Sequence, residues 1–208
     1  MMSFQGRTTA ACMLAMFLFV ACGTKKKEVG PAPANFRVQF GTTKGNFVVL
    51  VNRDWSPRGA DRFYELVKMH FYDGNYFFRV VPSFVVQWGI NGDPSVAKSW
   101  DSLTIKDDPP KESNKAGTIT FATSGSDSRT TQVFINLNNN AMLDSQGFSP
   151  FGEVAEGMSV VQNLYAGYGD GPPQGRGPDQ KAITDIGNAY LEEHFPRLDH
   201  ITKTQIIE

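Results

Sequence analysis

Apolar and polar positions first alternate over FRVQFGTTKGNFVVLVNRD, Phe36 to Asp54. Val38 and Phe40 alternate with Arg37 and Gln39, and Phe47 to Val51 is a continuous apolar run. Two strands around a turn at Thr42 to Gly45 are predicted. The period then lengthens. Ser56 and Pro57 suit the N-cap and first position of a helix. Phe63, Leu66, Val67 and His70 or Phe71 recur at helical spacing until Asp73-Gly74 ends the run. β character returns from Tyr76 to Trp88, where Pro82 demands a bend, a bulge or an edge. Gly92 to Ala116 is polar and Pro-containing and reads as a long loop with one short strand. Further strands are predicted at GTITFAT (Gly117 to Thr123), TQVFINL (Thr131 to Leu137) and Phe151 to Val154, with a polar loop from Ser124 to Thr131. A second helix over Ser159 to Tyr165 precedes a flexible Gly/Pro-rich loop, Gly167 to Pro178. In the tail, a short helix capped by Asn188 runs through Phe195, and Leu198 to Ile207 supplies a closing strand. Many short strands with two clear helices predict a mainly-β fold, a closed barrel capped by helices.

With 208 residues, 40% hydrophobic and 20% charged, the chain suits one sizeable folded domain. A formal net charge of -1 carries no electrostatic footprint for nucleic acid. The first residues belong to targeting. Arg7 precedes an apolar stretch, Ala10 to Val20, too short to span a bilayer comfortably. It ends in FVAC, Phe19 to Cys22, which resembles the lipobox of bacterial lipoproteins, with Phe19 where Leu is usual. That resemblance implies a signal peptide over residues 1–21 and lipidation of Cys22, anchoring the protein to a bacterial cell membrane on its periplasmic or extracytoplasmic face. Ordinary cleavage releasing a soluble exported protein is the alternative. Cys12 and Cys22 both lie in this segment, which leaves the domain without a disulfide. Residues 22–35, with Lys, Gly, Pro and Ala and almost no periodicity, read as a flexible tether, and 36–208 as the domain.

Familiar chemistry is missing. His70, His194 and His200 lie far apart without ligand spacing, so no metal site is expected. Neither a nucleophile elbow nor a phosphate loop is present, and the domain has no cysteine nucleophile. If the chain is an enzyme, it works without covalent chemistry and without a cofactor.

FFRVVPSFVVQ, Phe77 to Gln87, resembles the first signature of the cyclophilins. TQVFINL resembles the second, and LDSQGFSPFGEVAEGMSVV, Leu143 to Val161, the third. The resemblance runs over roughly Phe36 to Ile207. It implies an eight-stranded antiparallel β-barrel closed by two helices and peptidyl-prolyl cis-trans isomerase activity on unfolded or flexible proline-containing polypeptides, by a monomer. By motif, Arg79 takes the catalytic position, with Gln87 and Gln132 holding it and Gln87 bonding the substrate backbone. Phe84, Val85, Ala122, Thr123, Phe134, Met142, Leu143 and Phe148 take the substrate-binding positions. Thr123 replaces the usual Asn, Met142 the usual Trp and Phe148 the usual His. Trp88 stands where Gly is common, either as packing or as a narrowing of the groove. The rival reading is a non-catalytic module that binds proline-containing peptide, or an envelope scaffold.

Overall fold

The computed structural model describes residues 1–2 and 30–208. Cys22, the signal peptide (but for its first two residues) and most of the tether lie outside the described residues. The predicted first hairpin forms β1 (Asn35–Thr42) and β2 (Gly45–Asn52), paired antiparallel in full register. Helix α1 (Pro57–Lys68) buries Ala60, Phe63, Leu66 and Val67 on one face. Ser56 stands at its N-cap position without capping it by a side-chain hydrogen bond. Asp108, far along the chain, does this work: its carboxylate accepts from Gly59 N (3.0 Å), Arg58 N (3.3 Å) and Ser56 Oγ (2.7 Å). A carboxylate at a helix N-terminus meets both free N–H groups and the positive end of the helix dipole.

The strands β3 (Arg79–Val81) and β4 (Val85–Trp88) form a hairpin. Pro82 and Ser83 make its turn, with Phe84 N bonded to Val81 O (3.0 Å) and Ser83 at φ 60°. Pro82 therefore sits in a bend. Then come α2 (Pro94–Trp100), β5 (Thr118–Phe121), β6 (Val133–Asn136), a 3₁₀ turn (Ala141–Gln146), β7 (Pro150–Glu156) and α3 (Met158–Gln162). Two short helices, α4 (Gln180–Ile186) and α5 (Asn188–His194), precede β8 (Ile201–Ile207).

All eight strands join one antiparallel sheet in the order β3-β4-β6-β5-β7-β2-β1-β8. The sheet curls until the residues before β3 meet the start of β8. Gly74 N bonds Ile201 O, Ile201 N bonds Asn75 O and Phe77 N bonds Asp199 O. The eight-stranded antiparallel expectation holds. The core inside the curl includes Phe40, Phe47, Phe63, Phe77, Trp88, Ile119, Ile135 and Phe151. Trp88 is 0% exposed and packs edge-on against Phe40, Phe47, Tyr72 and Phe77, so its role is packing.

The loop expected over 92–116 contains α2, and α4, which the sequence reading did not expect, precedes the anticipated α5 of the tail. These pieces close a second small core of Phe78, Ile90, Ala97, Ile183, Leu191 and Leu198. Gly187, at φ 78°, occupies the N-cap position of α5, which Asn188 opens. Asn188 instead donates its amide to Gly74 O (3.0 Å).

Candidate active site

The alternation of β-strands places an arginine beside a core. Successive side chains of a strand point to opposite faces. In β3, Val80 joins the central core and Arg79 faces outward. In β4, Val86 and Trp88 point inward, whereas Val85 and Gln87 share Arg79's face; in β6, Val133 and Ile135 point inward and Phe134 outward. Register aligns the outward set, with Arg79 opposite Gln87, Gln87 opposite Phe134 and Phe134 opposite Thr120. Both faces of these strands are covered, which is why their sequences read as unbroken apolar runs.

A cavity of about 480 Å³ opens on that outer face. Phe84, Val85, Ala122, Phe134, Leu143 and Phe148 supply its apolar walls, and Arg79, Gln87, Gln132 and Thr123 line it with polar groups. Phe148 meets Phe134 edge to face at 5.6 Å. Met142 is the sequence-predicted residue that the fold leaves out. It does not line the cavity and is 59% exposed. The 3₁₀ turn that buries Leu143 directs its neighbour to solvent.

The polar side is a chain of hydrogen bonds. Arg79 Nη1 donates to Gln87 Oε1 (3.0 Å), and Gln87 Nε2 donates to Gln132 Oε1 (2.8 Å). Gln132 thus acts on Arg79 through Gln87. Gly89 lets Gln132 approach. A Cβ there would lie 2.5 Å from Thr131 O and 2.6 Å from Gln132 Cα. The guanidinium carbon lies 5.6 Å from the centroid of the Phe84 ring, a cation–π contact.

One partner escaped the sequence reading. Asp170, in the loop read as merely flexible, accepts from Arg79 Nε and Nη2, each at 2.9 Å. The pairing is bidentate, the strongest arrangement open to a guanidinium and a carboxylate. A single carboxylate inside a Gly-rich run was the only trace of it in the sequence.

Buried amides support the walls. Asn140 Nδ2 bonds Phe84 O (2.9 Å) and Asn136 Oδ1 (2.8 Å), and Asn114 Nδ2 bonds Phe148 O (3.0 Å). Asp144 receives Asn114 N (2.8 Å), Asn114 Nδ2 (2.8 Å) and Ser113 Oγ (2.5 Å). Desolvation works to raise the Asp144 carboxyl, but these hydrogen bonds outweigh it and leave it below the usual carboxylate range.

Thr123, Ser124, Ser128 and Thr130 add further polar groups to the cavity lining. Thr123 Oγ1 and Ser128 Oγ are hydrogen-bonded at 2.7 Å. Asp101, beside α2, and Gln180, opening α4, also line it.

The family model described as "Cyclophilin type peptidyl-prolyl cis-trans isomerase/CLD" matches residues 37–187. A peptidyl-prolyl cis-trans isomerase of Acinetobacter baylyi is 34% identical over 139 residues, covering 64% of this chain and 73% of that protein. Peptidyl-prolyl cis-trans isomerase A of Dickeya dadantii is 33% identical over 157 residues, covering 73% of this chain and 83% of that protein. Among solved structures, a cyclophilin type peptidyl-prolyl cis-trans isomerase of Cryptosporidium parvum superposes with a TM-score of 0.59 at 18% identity, covering 84% of this chain and 98% of that one. A second structure of that protein, in the presence of the dipeptide Ala-Pro, gives a TM-score of 0.58 at 17% identity, covering 83% and 99%. With the sheet, the motifs and the matched span in agreement, the chain belongs to the cyclophilin-type peptidyl-prolyl cis-trans isomerases and is an enzyme of that class.

Proposed function

We propose that the chain accelerates rotation about Xaa-Pro bonds in flexible segments of exported proteins, with Arg79 as the catalytic residue. Amide rotation costs about 18–20 kcal/mol because resonance must be broken. In the planar amide the prolyl nitrogen lone pair is delocalised and accepts hydrogen bonds poorly. In the twisted state it is localised and basic. A fixed guanidinium therefore binds the twisted state better than either planar isomer, and only such differential binding raises the rate. A donor worth about 3–4 kcal/mol more in the twisted state gives about 10²–10³ in rate. The apolar walls Phe84, Phe134, Leu143 and Phe148 suit a proline ring, and Gln87, which also lines the cavity, is the proposed contact for the peptide backbone.

The observation that carries this reading is the position of Arg79, which is held by Gln87 at the edge of an apolar cavity. The Ala-Pro dipeptide present with the Cryptosporidium parvum neighbour supports a proline-containing ligand here. The test is cis–trans exchange of a short Ala-Pro peptide, followed by NMR with wild type and with Arg79→Ala. Fast exchange with wild type and its loss in the variant support the reading. Equal exchange with both overturns it.

The Arg7 and Ala10–Val20 leader and the FVAC stretch support an exported, lipid-anchored location. Cys22→Ser should move the protein from the membrane fraction to the soluble fraction; a wild-type protein already soluble there would favour ordinary cleavage.

A further inference from the structure

We propose that Asp170 is the positioning residue for Arg79, a clamp that sets the angle at which the guanidinium meets the prolyl amide. This inference rests on Arg79 being catalytic and deepens that reading. A guanidinium carries five N–H donors in one plane. Asp170 takes Nε–H and one Nη2–H, and Gln87 takes one Nη1–H. Two N–H groups remain for substrate, one on each Nη. Gln87 alone would leave the plane free to swing about its single hydrogen bond. Two parallel bonds to one carboxylate fix both the plane and its rotation.

The loop is built to hold that carboxylate. Gly177 N bonds Asp170 O (2.8 Å), Gly175 N bonds Gly171 O (2.9 Å), and Gly171 N bonds Asp170 Oδ1 (2.9 Å). A Cβ at Gly175 would lie 2.2 Å from Asp170 O, and one at Gly177 2.9 Å from the same atom. The glycines therefore serve close backbone approach around Asp170, rather than looseness. The loop is fastened at both ends. Before it, Tyr168 packs edge-on against Phe195 at 5.0 Å. After it, Asp179 caps α4 by accepting from Ala182 N (2.8 Å). The small core of α2, α4 and α5 thereby acquires a role in the site: it anchors the loop that holds the arginine. The side chains of Arg79 and Asp170 are 25% and 26% exposed, open enough for a peptide to reach the free N–H groups.

The experiment uses the purified full chain with Asp170→Asn, alone and combined with Arg79→Ala. The readouts are kcat and KM for an Ala-Pro peptide and the Nε–H NMR resonance of Arg79. Asn keeps the volume and one acceptor but cannot accept both guanidinium bonds. The expected result is a kcat lower by about 10–100-fold, the scale of a misplaced catalytic group, with KM within about twofold. The Arg79 Nε–H resonance should shift and broaden through solvent exchange. In the Arg79→Ala background, Asp170→Asn should remove nothing further. An unchanged or higher kcat in Asp170→Asn refutes the clamp. So does an equal loss in both backgrounds, since Asp170 would then act elsewhere than through Arg79. Asp170→Ser, which retains an acceptor for Gly171 N, gives the same comparison if the Asn variant folds poorly. Loss in Arg79→Ala without loss in Asp170→Asn sinks only the clamp; no loss in Arg79→Ala sinks the catalytic reading itself.

Discussion

Removing the Asp108 carboxylate should loosen the fold and blunt its acid sensitivity at the same time. Asp108 is 3% exposed and receives Ser56 Oγ, Gly59 N and Arg129 Nη2 within 3.2 Å. Arg129 is itself 2% exposed. In Asp108→Ala the guanidinium keeps Asp107, at 3.3 Å, and Lys106 O. Breaking a buried pair by removing one partner costs about 3–5 kcal/mol. The retained partners place the loss near the lower end, and the lost N-terminal cap adds about 1 kcal/mol. About 3–4 kcal/mol corresponds to a Tm lower by about 6–16 °C for a domain of this size.

The pH dependence follows from the same contacts. Burial works to raise the Asp108 carboxyl, but the Ser56, Gly59 and Arg58 hydrogen bonds and the Arg129 charge hold it below its ordinary value. A depressed carboxylate contributes its full stability above the unfolded pKa of about 3.9 and loses it as pH falls through the folded value. Urea unfolding of wild type and Asp108→Ala, followed by tryptophan fluorescence, should therefore show a constant gap between pH 5 and 8 that shrinks below about pH 4. A gap under about 1 kcal/mol at pH 7, or an undiminished one at pH 2.5, would refute the reasoning.

Met142→Ala should leave kcat/KM within about twofold, because that side chain is exposed and off the cavity; a tenfold loss in peptide turnover would return Met142 to the site. Phe134→Ala should raise the peptide Kd by about 10–100-fold, as expected from losing one buried aromatic wall, and calorimetric titration checks it. Trp88→Ala should cost about 3–5 kcal/mol in denaturant unfolding through the cavity it leaves. Trp88→Phe should cost much less, since it leaves a smaller cavity while likewise removing the buried Nε1–H that has no hydrogen-bond partner.

What the sequence disclosed follows from the range of the forces involved. Strand alternation is local, so the first hairpin was readable within Phe36 to Asp54; Arg79 was marked by its motif, and that it faces out while Val80 faces in comes from the folded sheet. Trp88 was not placed by its own neighbours, since pocket and core both accept an indole; only the curl of the sheet, bringing Phe40 and Phe47 against it, decides for the core. Ser56 shows why local cap rules fail. Its hydroxyl found a carboxylate 52 residues away and left the helix end to that same carboxylate. Asp170 lies 91 residues from Arg79, and nothing in its own loop announces a guanidinium. Met142 was assigned by motif, but its side-chain direction is set by the 3₁₀ turn it occupies.

The central claim is that Arg79 binds the twisted prolyl amide better than the planar one. The most direct measurement is the pair of quantities Kd and kcat for one Ala-Pro peptide, in wild type and in Arg79→Ala. The account predicts a Kd changed by less than about threefold and a kcat lower by about 10²–10³. Equal losses in affinity and in kcat/KM, with kcat unchanged, would contradict it, because Arg79 would then hold substrate and transition state alike.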